Sequence, residues 1–417
     1  MLAPRLKAVF KLADQDKPSF FSVLLIGIAQ IIVWGGSFFL LAVMARPIMS
    51  EMGWGRELVY GALSLSILVS AFALPYIGRL ISRHGGKEIL AMSGIITALG
   101  LFILAFSYHL AFFFLAWIVI GLGMAIGLYD TLFAVLGNLF GLNAKVAIVS
   151  VTLISGFCTT IVWPVQAYAV SLFGWRATCV FGAVLMIIVI WPIYHYALPK
   201  PKKIAEPSAL QQKNKTNSMS LPKSTYHLIS IIFMITSIIM TVMTVQLIDI
   251  LQENGLALAS AIAISALIGP SQVASRMLDL VIKFDHPIKS LLVSVVLVVV
   301  GIILLCISPK YAALAMIIYG AGNGLRSIVR GTLPLTLVKK EEYAYLMGKL
   351  ARPSLIAQAM TPLIAGYMID AFGANTVLYS IALLALLNVI FSLILMKEIR
   401  QGKVMTQSGF VAQRFKR

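Results

Sequence analysis

The chain has 417 residues, 60% of them hydrophobic and 12% charged, with a mean hydropathy of +0.96. That excess of apolar side chains excludes a soluble globular domain and predicts an all-α polytopic membrane protein, with the lipid bilayer as its surroundings. A net charge of +18 would suit nucleic acid, but the basic residues lie in short gaps between apolar runs, so they report topology and no nucleic-acid partner is expected.

Run length and flanking charge predict about twelve spans, near 20–45, 58–80, 88–108, 111–136, 146–171, 176–198, 227–252, 257–280, 288–307, 311–338, 345–370 and 375–396. The first run follows basic residues as a signal peptide would, but it is too long for one and is read as the first spanning helix. Alternate gaps are basic: Arg5 to Lys17, then Arg79, Arg83 and Lys87, then Lys145, then Lys200 to Lys223, then Lys283 and Lys289, Lys339 and Lys340, and finally Lys397 to Arg417. The remaining gaps hold few basic residues, offset by Glu51, Glu57, Glu253 and Asp370. Positive residues mark the cytoplasmic side, so both termini are expected inside, in a cell inner membrane.

Residues 199–226, rich in Pro, Ser, Asn, Gln and Lys, read as a flexible cytoplasmic linker. They separate an N-terminal six-helix bundle, 1–198, from a C-terminal one, 227–396, which is followed by a basic tail, 397–417. The two bundles resemble each other. Ile120-Gly-Leu-Gly123 returns as Tyr319-Gly-Ala-Gly322, an offset of 199 between residues 121 and 320. The same spacing relates Ser155 to Ser354 and Phe173-Gly174 to Phe372-Gly373. Gly78-Arg-Leu-Ile-Ser82 parallels Ser275-Arg-Met-Leu-Asp279. Four matches at nearly one spacing indicate a duplicated six-helix unit, one of the known transporter designs.

Twelve spans, a 6+6 duplication and a long middle loop resemble the major facilitator superfamily. Its loop motif after the second helix is matched by Gly78-Arg79-Leu80-Ile81-Ser82-Arg83-His84-Gly85-Gly86-Lys87, except that Ser82 stands where the family has Asp. The resemblance implies a cytoplasmic gate formed by Gly78, Arg79, Arg83, Gly85 and Lys87, with Arg276 and Asp279 as its counterpart in the second half. The missing carboxylate at Ser82 departs from that pattern in the first half. Trp34-Gly35-Gly36-Ser37-Phe38 and Gly53-Trp54-Gly55-Arg56 look like bacterial relatives of monocarboxylate and oxalate/formate carriers.

Arg326 and Arg330 lie four apart inside the tenth run and share a helix face. Arg330 is roughly 8 Å from the middle of that segment, so both guanidiniums fall at membrane depth. A charge there costs at least about 2.5 kcal/mol unless it meets water, a partner or a ligand. Two readings stand: a clamp for a carboxylate or other oxyanion, or a structural bridge to helix ends. Asp130 is the one acidic residue well inside an apolar run. It is expected to be desolvated and to carry proton coupling, or else to form a fixed ion pair with an arginine. Gln30, Trp34, Gln246, Asn323 and Gln358 are polar or aromatic residues at mid-span, readable as substrate contacts lining a cavity or as helix–helix hydrogen bonds.

The histidines sit at span ends or in loops, and the cysteines Cys158, Cys179 and Cys306 within or at the edge of apolar runs, so no metal, disulfide framework or cofactor is expected. No phosphate-binding glycine loop, GxSxG or HExxH occurs, which argues against an ATP-driven pump or a hydrolase. The sequence thus predicts a monomeric secondary active transporter, not an enzyme, moving a small organic solute, by preference an anion, with protons by symport or antiport. The alternatives are an exporter of a larger metabolite, such as a siderophore or toxic compound, and a transport-inactive sensor or membrane enzyme on the same scaffold.

Overall fold

A computed structural model describes residues 19–84, 86–140, 144–198, 221–282, 284, 286–338 and 340–401. The chain divides into two compact units, Met1–Ile204 and Ala205–Arg417, and the regular elements of both, among the described residues, are helices.

The first unit holds α1 (Phe20–Gly35), α2 (Leu41–Met52), α3 (Arg56–His84), α4 (Lys87–Ala105), α5 (Leu110–Gly127), α6 (Tyr129–Phe140), α7 (Ala144–Ser155), α8 (Cys158–Leu185) and α9 (Trp191–Ala197). Local chemistry sets the boundaries. Ser19 opens α1 by accepting the Ser22 amide on its hydroxyl, which satisfies one otherwise orphaned donor. Gly53 closes α2 in the left-handed region, φ 66. Leu128, with extended backbone, separates α5 from α6.

One rim of this unit is cross-braced. The Arg176 guanidinium donates to Glu51 at 2.7 Å and to the carbonyls of Ala105 and Ser107, and it lies against the rings of Tyr108 and Trp175. The Trp175 indole N–H donates to the second Glu51 oxygen at 2.6 Å. The ends of α2, α4 and the second half of α8 are thereby tied to one cation.

The second unit holds α10 (Lys223–Val245), α11 (Leu247–Glu253), α12 (Leu258–Ala266), α13 (Ile268–Ile282), α14 (Pro287–Ile307), α15 (Ala312–Leu337), α16 (Lys340–Phe372) and α17 (Ala374–Arg400). Helix α17 is apolar on two sides. It buries Val377, Leu378, Ile381, Ala385 and Leu395 against the bundle and exposes Leu383, Leu386, Ile390, Leu393 and Ile394. A soluble helix would carry polar groups on that outer face; a lipid-facing one does not need them.

Ten helical stretches are long and apolar enough to cross a membrane. One of them, Ala147–Ala197, is two crossings turned at Gly174, and α1 continues past a turn at Gly36 into α2. Counted so, the described chain carries the twelve expected crossings. The expected linker falls largely outside the described residues, and α10 begins inside its last four positions. The helix expected to end at residue 396 runs on to Arg400.

The repeated sequence words do repeated structural work. Gly121 lets α5 approach the Ser66 backbone of α3, and Gly123 lets it approach Thr97 of α4. In the second unit Gly320 does the same for α15 against Ile268 of α13, and Gly322 against Ser294 of α14. A Cβ at any of the four would stand within 3.0 Å of a neighbouring atom. Gly174 and Gly373 share a backbone state, φ 75, ψ 167 and φ 83, ψ 161, which is open almost only to glycine. Gly373→Ala is therefore expected to lower stability by about 1–3 kcal/mol. Gly182→Ala, whose Cβ would meet nothing nearer than 3.6 Å, should leave it almost unchanged; thermal unfolding of the purified proteins compares the two.

His286 caps α14, its Nδ1 accepting the Ile288 amide at 3.1 Å, and it is buried. Burial first, then the Lys289 charge, holds its pKa below the usual 6.5. The neutral ring is thus favoured in the folded state, and its contribution is present above pH 6.5 and lost as pH falls below it. His286→Asn keeps an acceptor at the cap and removes the titration, so its thermal stability should fall less than that of the wild type between pH 7 and pH 5.

Candidate functional site

Helix α15 carries Arg326 and Arg330 in the second unit. Both side chains are half-buried. The Arg326 Nε donates to Asn323 Oδ1 at 2.7 Å, one helical turn back, which fixes the guanidinium and leaves its outer N–H groups for other partners. Neither arginine forms an ion pair among the described residues. The charged neighbours of Arg326 are instead Arg330 and Arg276, so positive potential accumulates at this depth of the unit.

Arg326 forms part of the wall of a small cavity lined by α10, α14, α15 and α17, about 20 Å³ in volume, which is room for about one water molecule or one hydroxyl group. Its polar lining comprises Thr236, Ser294, Tyr319, Asn323, Arg326 and Asn388. Two buried atoms there lack a hydrogen-bond partner, the Tyr319 hydroxyl and Asn388 Oδ1. Each such atom costs about 1–3 kcal/mol if nothing satisfies it. The Asn388 orientation is fixed by its surroundings. Thr236 donates its proton to the Ile232 carbonyl at 2.6 Å, so its oxygen must accept the Asn388 amide at 2.9 Å, and Asn388 Oδ1 is left over.

Asn323 lines this cavity together with Thr236, Tyr319 and Asn388, which the sequence alone does not mark as contacts. Asn388 carried the same signal as Asn323, a carboxamide inside an apolar run. Gln358 is half-buried on α16. For two of the mid-span carboxamides the structure shows the helix–helix alternative and not a cavity contact. Gln30 is fully buried, donating to the Gly127 carbonyl and the Tyr194 hydroxyl, both at 2.8 Å, and accepting the Trp34 indole N–H. Gln246 is fully buried at the α10–α11 break and donates to the Pro362 carbonyl at 3.0 Å. Both tie helices within their own units, since an unpaired amide inside a bundle is costly, although Gln246 Oε1 has no hydrogen-bond partner in the described residues.

In the first unit Trp34 is half-buried in an aromatic cluster with Phe39 and Tyr129, whose rings lie 5.4 and 4.9 Å away. Tyr129 also hydrogen-bonds Ser155 at 2.6 Å. The next residue, Asp130, was expected to be desolvated and is exposed within its unit. The reason is the break at Leu128: the apolar run is two helices, and Asp130 lies in the first turn of the second, a position suited to an anionic side chain.

The expected gate residues are spread over both units. Gly78 and Arg79 are exposed on α3, Arg79 beside the Tyr76 ring, and Lys87 begins α4 half-buried. Gly85 and the Arg83 side chain lie outside the described residues. In the second unit Arg276 is buried and donates to the Gly324 carbonyl and to Gln272. Asp279 accepts the Ser290 hydroxyl at 2.9 Å, which joins α13 to α14. Among the described residues no cluster of three or more metal-ligating side chains occurs.

Solved structures share this fold. A mutant of the nucleoside transporter NupG is 14% identical with a TM-score of 0.70, the match covering 90% of this chain and 99% of that one. A bacterial homolog of the human lysosomal transporter Spinster, inward-facing and occupied, is 12% identical with a TM-score of 0.69, covering 90% and 96%. The peptide transporter POT in complex with sulfate is 11% identical with a TM-score of 0.70, covering 91% and 94%. No curated protein matches the sequence significantly. The Major Facilitator Superfamily model matches residues 26–325, and with the twelve crossings and the duplicated helix packing it leads to one conclusion: the chain belongs to that superfamily, a multi-pass membrane transporter and not an enzyme.

Proposed function

We propose that the chain moves a small organic anion across a cell inner membrane by alternating access, as a monomer with both termini cytoplasmic, coupled to the proton gradient. The observation that carries this reading is Arg326: a guanidinium at membrane depth, anchored through Nε, without an ion pair among the described residues and beside a small cavity with several polar side chains in its wall. A carboxylate or other oxyanion is the partner that such a fork of donors accepts best. The peptide transporter of the same fold was solved with sulfate, so this architecture is compatible with an anion. Arg330, Asn323, Gln358 and Trp34 are proposed as further substrate contacts. The loop residues Gly78, Arg79, Arg83, Gly85 and Lys87, with Arg276 and Asp279, are assigned to the cytoplasmic gate.

Asp130 is proposed as the coupling carboxylate. Its side chain lies exposed on the surface of its own unit, and its desolvation would come with closure of the transport pathway. No specific observation favours export of a larger metabolite.

Reconstitution into proteoliposomes tests both assignments. Arg326→Gln removes charge-assisted hydrogen bonds of about 1.5–3 kcal/mol each, so uptake of labelled organic acids should fall at least about tenfold while the thermal unfolding profile is retained. Unchanged uptake by this variant would remove the clamp. Asp130→Asn should abolish proton-driven accumulation and preserve exchange of internal for external substrate; full accumulation by the variant would dismiss Asp130 as the coupling group.

A further inference from the structure

Resting on the anion reading of Arg326, we infer that the cavity behind it is a specificity pocket for a hydroxyl group carried next to the substrate's anionic group. Tyr319 and Asn388 are its recognition residues.

Three observations converge. The cavity is too small for a whole solute and sized for one hydroxyl, about 20 Å³. Its wall joins Arg326 to two side chains that each carry one buried polar atom without a partner, Tyr319 at 1% and Asn388 at 3% exposure. Those atoms are complementary to one hydroxyl: Asn388 Oδ1, held acceptor-outward by its bond to Thr236, takes its proton, and the Tyr319 O–H donates to its oxygen. Arg326 lines the same cavity, so the substituent that can enter it is one carried next to the anionic group.

The charge pattern decides against an amine. The charged side chain in the lining is a guanidinium, its charged neighbours Arg330 and Arg276 are also cations, and the lining includes no carboxylate. An ammonium at the same place would be repelled; a hydroxyl is neutral and keeps both hydrogen bonds. A substrate without the hydroxyl leaves both buried groups unpaired, so discrimination is built from their desolvation.

The test uses the full-length protein in detergent and reads thermal stabilisation against ligand concentration. Matched acids serve as probes: succinate with malate, propionate with lactate, butyrate with 3-hydroxybutyrate, and aspartate as the amine control. The hydroxylated member of at least one pair should half-saturate at about three- to tenfold lower concentration than its partner, and aspartate at no lower concentration than succinate. Asn388→Leu and Tyr319→Phe should erase the difference within that pair and leave the response to the unsubstituted acid intact; the second variant removes a single atom and guards against misfolding of the first. Arg326→Gln should remove both responses. Equal responses within every pair, or a preference surviving in both variants, overturn the pocket and leave the anion clamp standing. No response to any of the acids overturns the clamp itself, and the pocket with it.

Discussion

A charged side chain inside a hydrocarbon layer must be given dipoles and acceptors by the protein, because the lipid supplies none. Arg326 meets that requirement through Asn323 on its own helix and through a cavity furnished by three others. The helices that surround it are held close by residues with no side chain to keep them apart: Gly320 and Gly322 on the same helix bring α13 and α14 against α15. Close packing and a buried charge are thus parts of one arrangement. Without the glycine contacts the cavity wall would open, and without polar groups in the wall the guanidinium would have no place there.

The first unit solves the same packing problem with the same glycine spacing but places no cation at the corresponding depth. Its fourth crossing is broken at Leu128 and begins again at Tyr129 and Asp130. Gln30 is spent in bonds between helices, to the Gly127 carbonyl and Tyr194, while other buried groups of this unit, Trp117 Nε1 and Trp163 Nε1 among them, have no hydrogen-bond partner in the described residues. Duplication preserved the scaffold while the polar chemistry of the two copies diverged.

Much of the fold could be read from the sequence because hydrocarbon thickness sets span length and glycine spacing sets close approach. The offset of 199 was visible in Gly121 and Gly320, and in Gly174 and Gly373, whose backbones share one conformation. The site was only partly legible. Arg326 stood out because a charge in an apolar run is rare. Asn388 and Tyr319 did not, since their importance lies in missing partners, and whether a polar atom is satisfied depends on contacts more than 60 residues distant in sequence. Gln30 and Gln246 stayed undecided for the same reason: a mid-span carboxamide looks alike whether it faces a cavity or a neighbouring carbonyl. The exposure of Asp130 was not legible because the helix break at Leu128 lies inside an uninterrupted apolar run.

The Arg176 brace adds a mechanical consequence for the first unit. Helix ends fastened to one another at a rim cannot slide independently, so a push on any of them is shared by its neighbours. Such a body answers a load by tilting whole instead of flexing, and the movement needed for solute passage is displaced to places where the chain is not fastened.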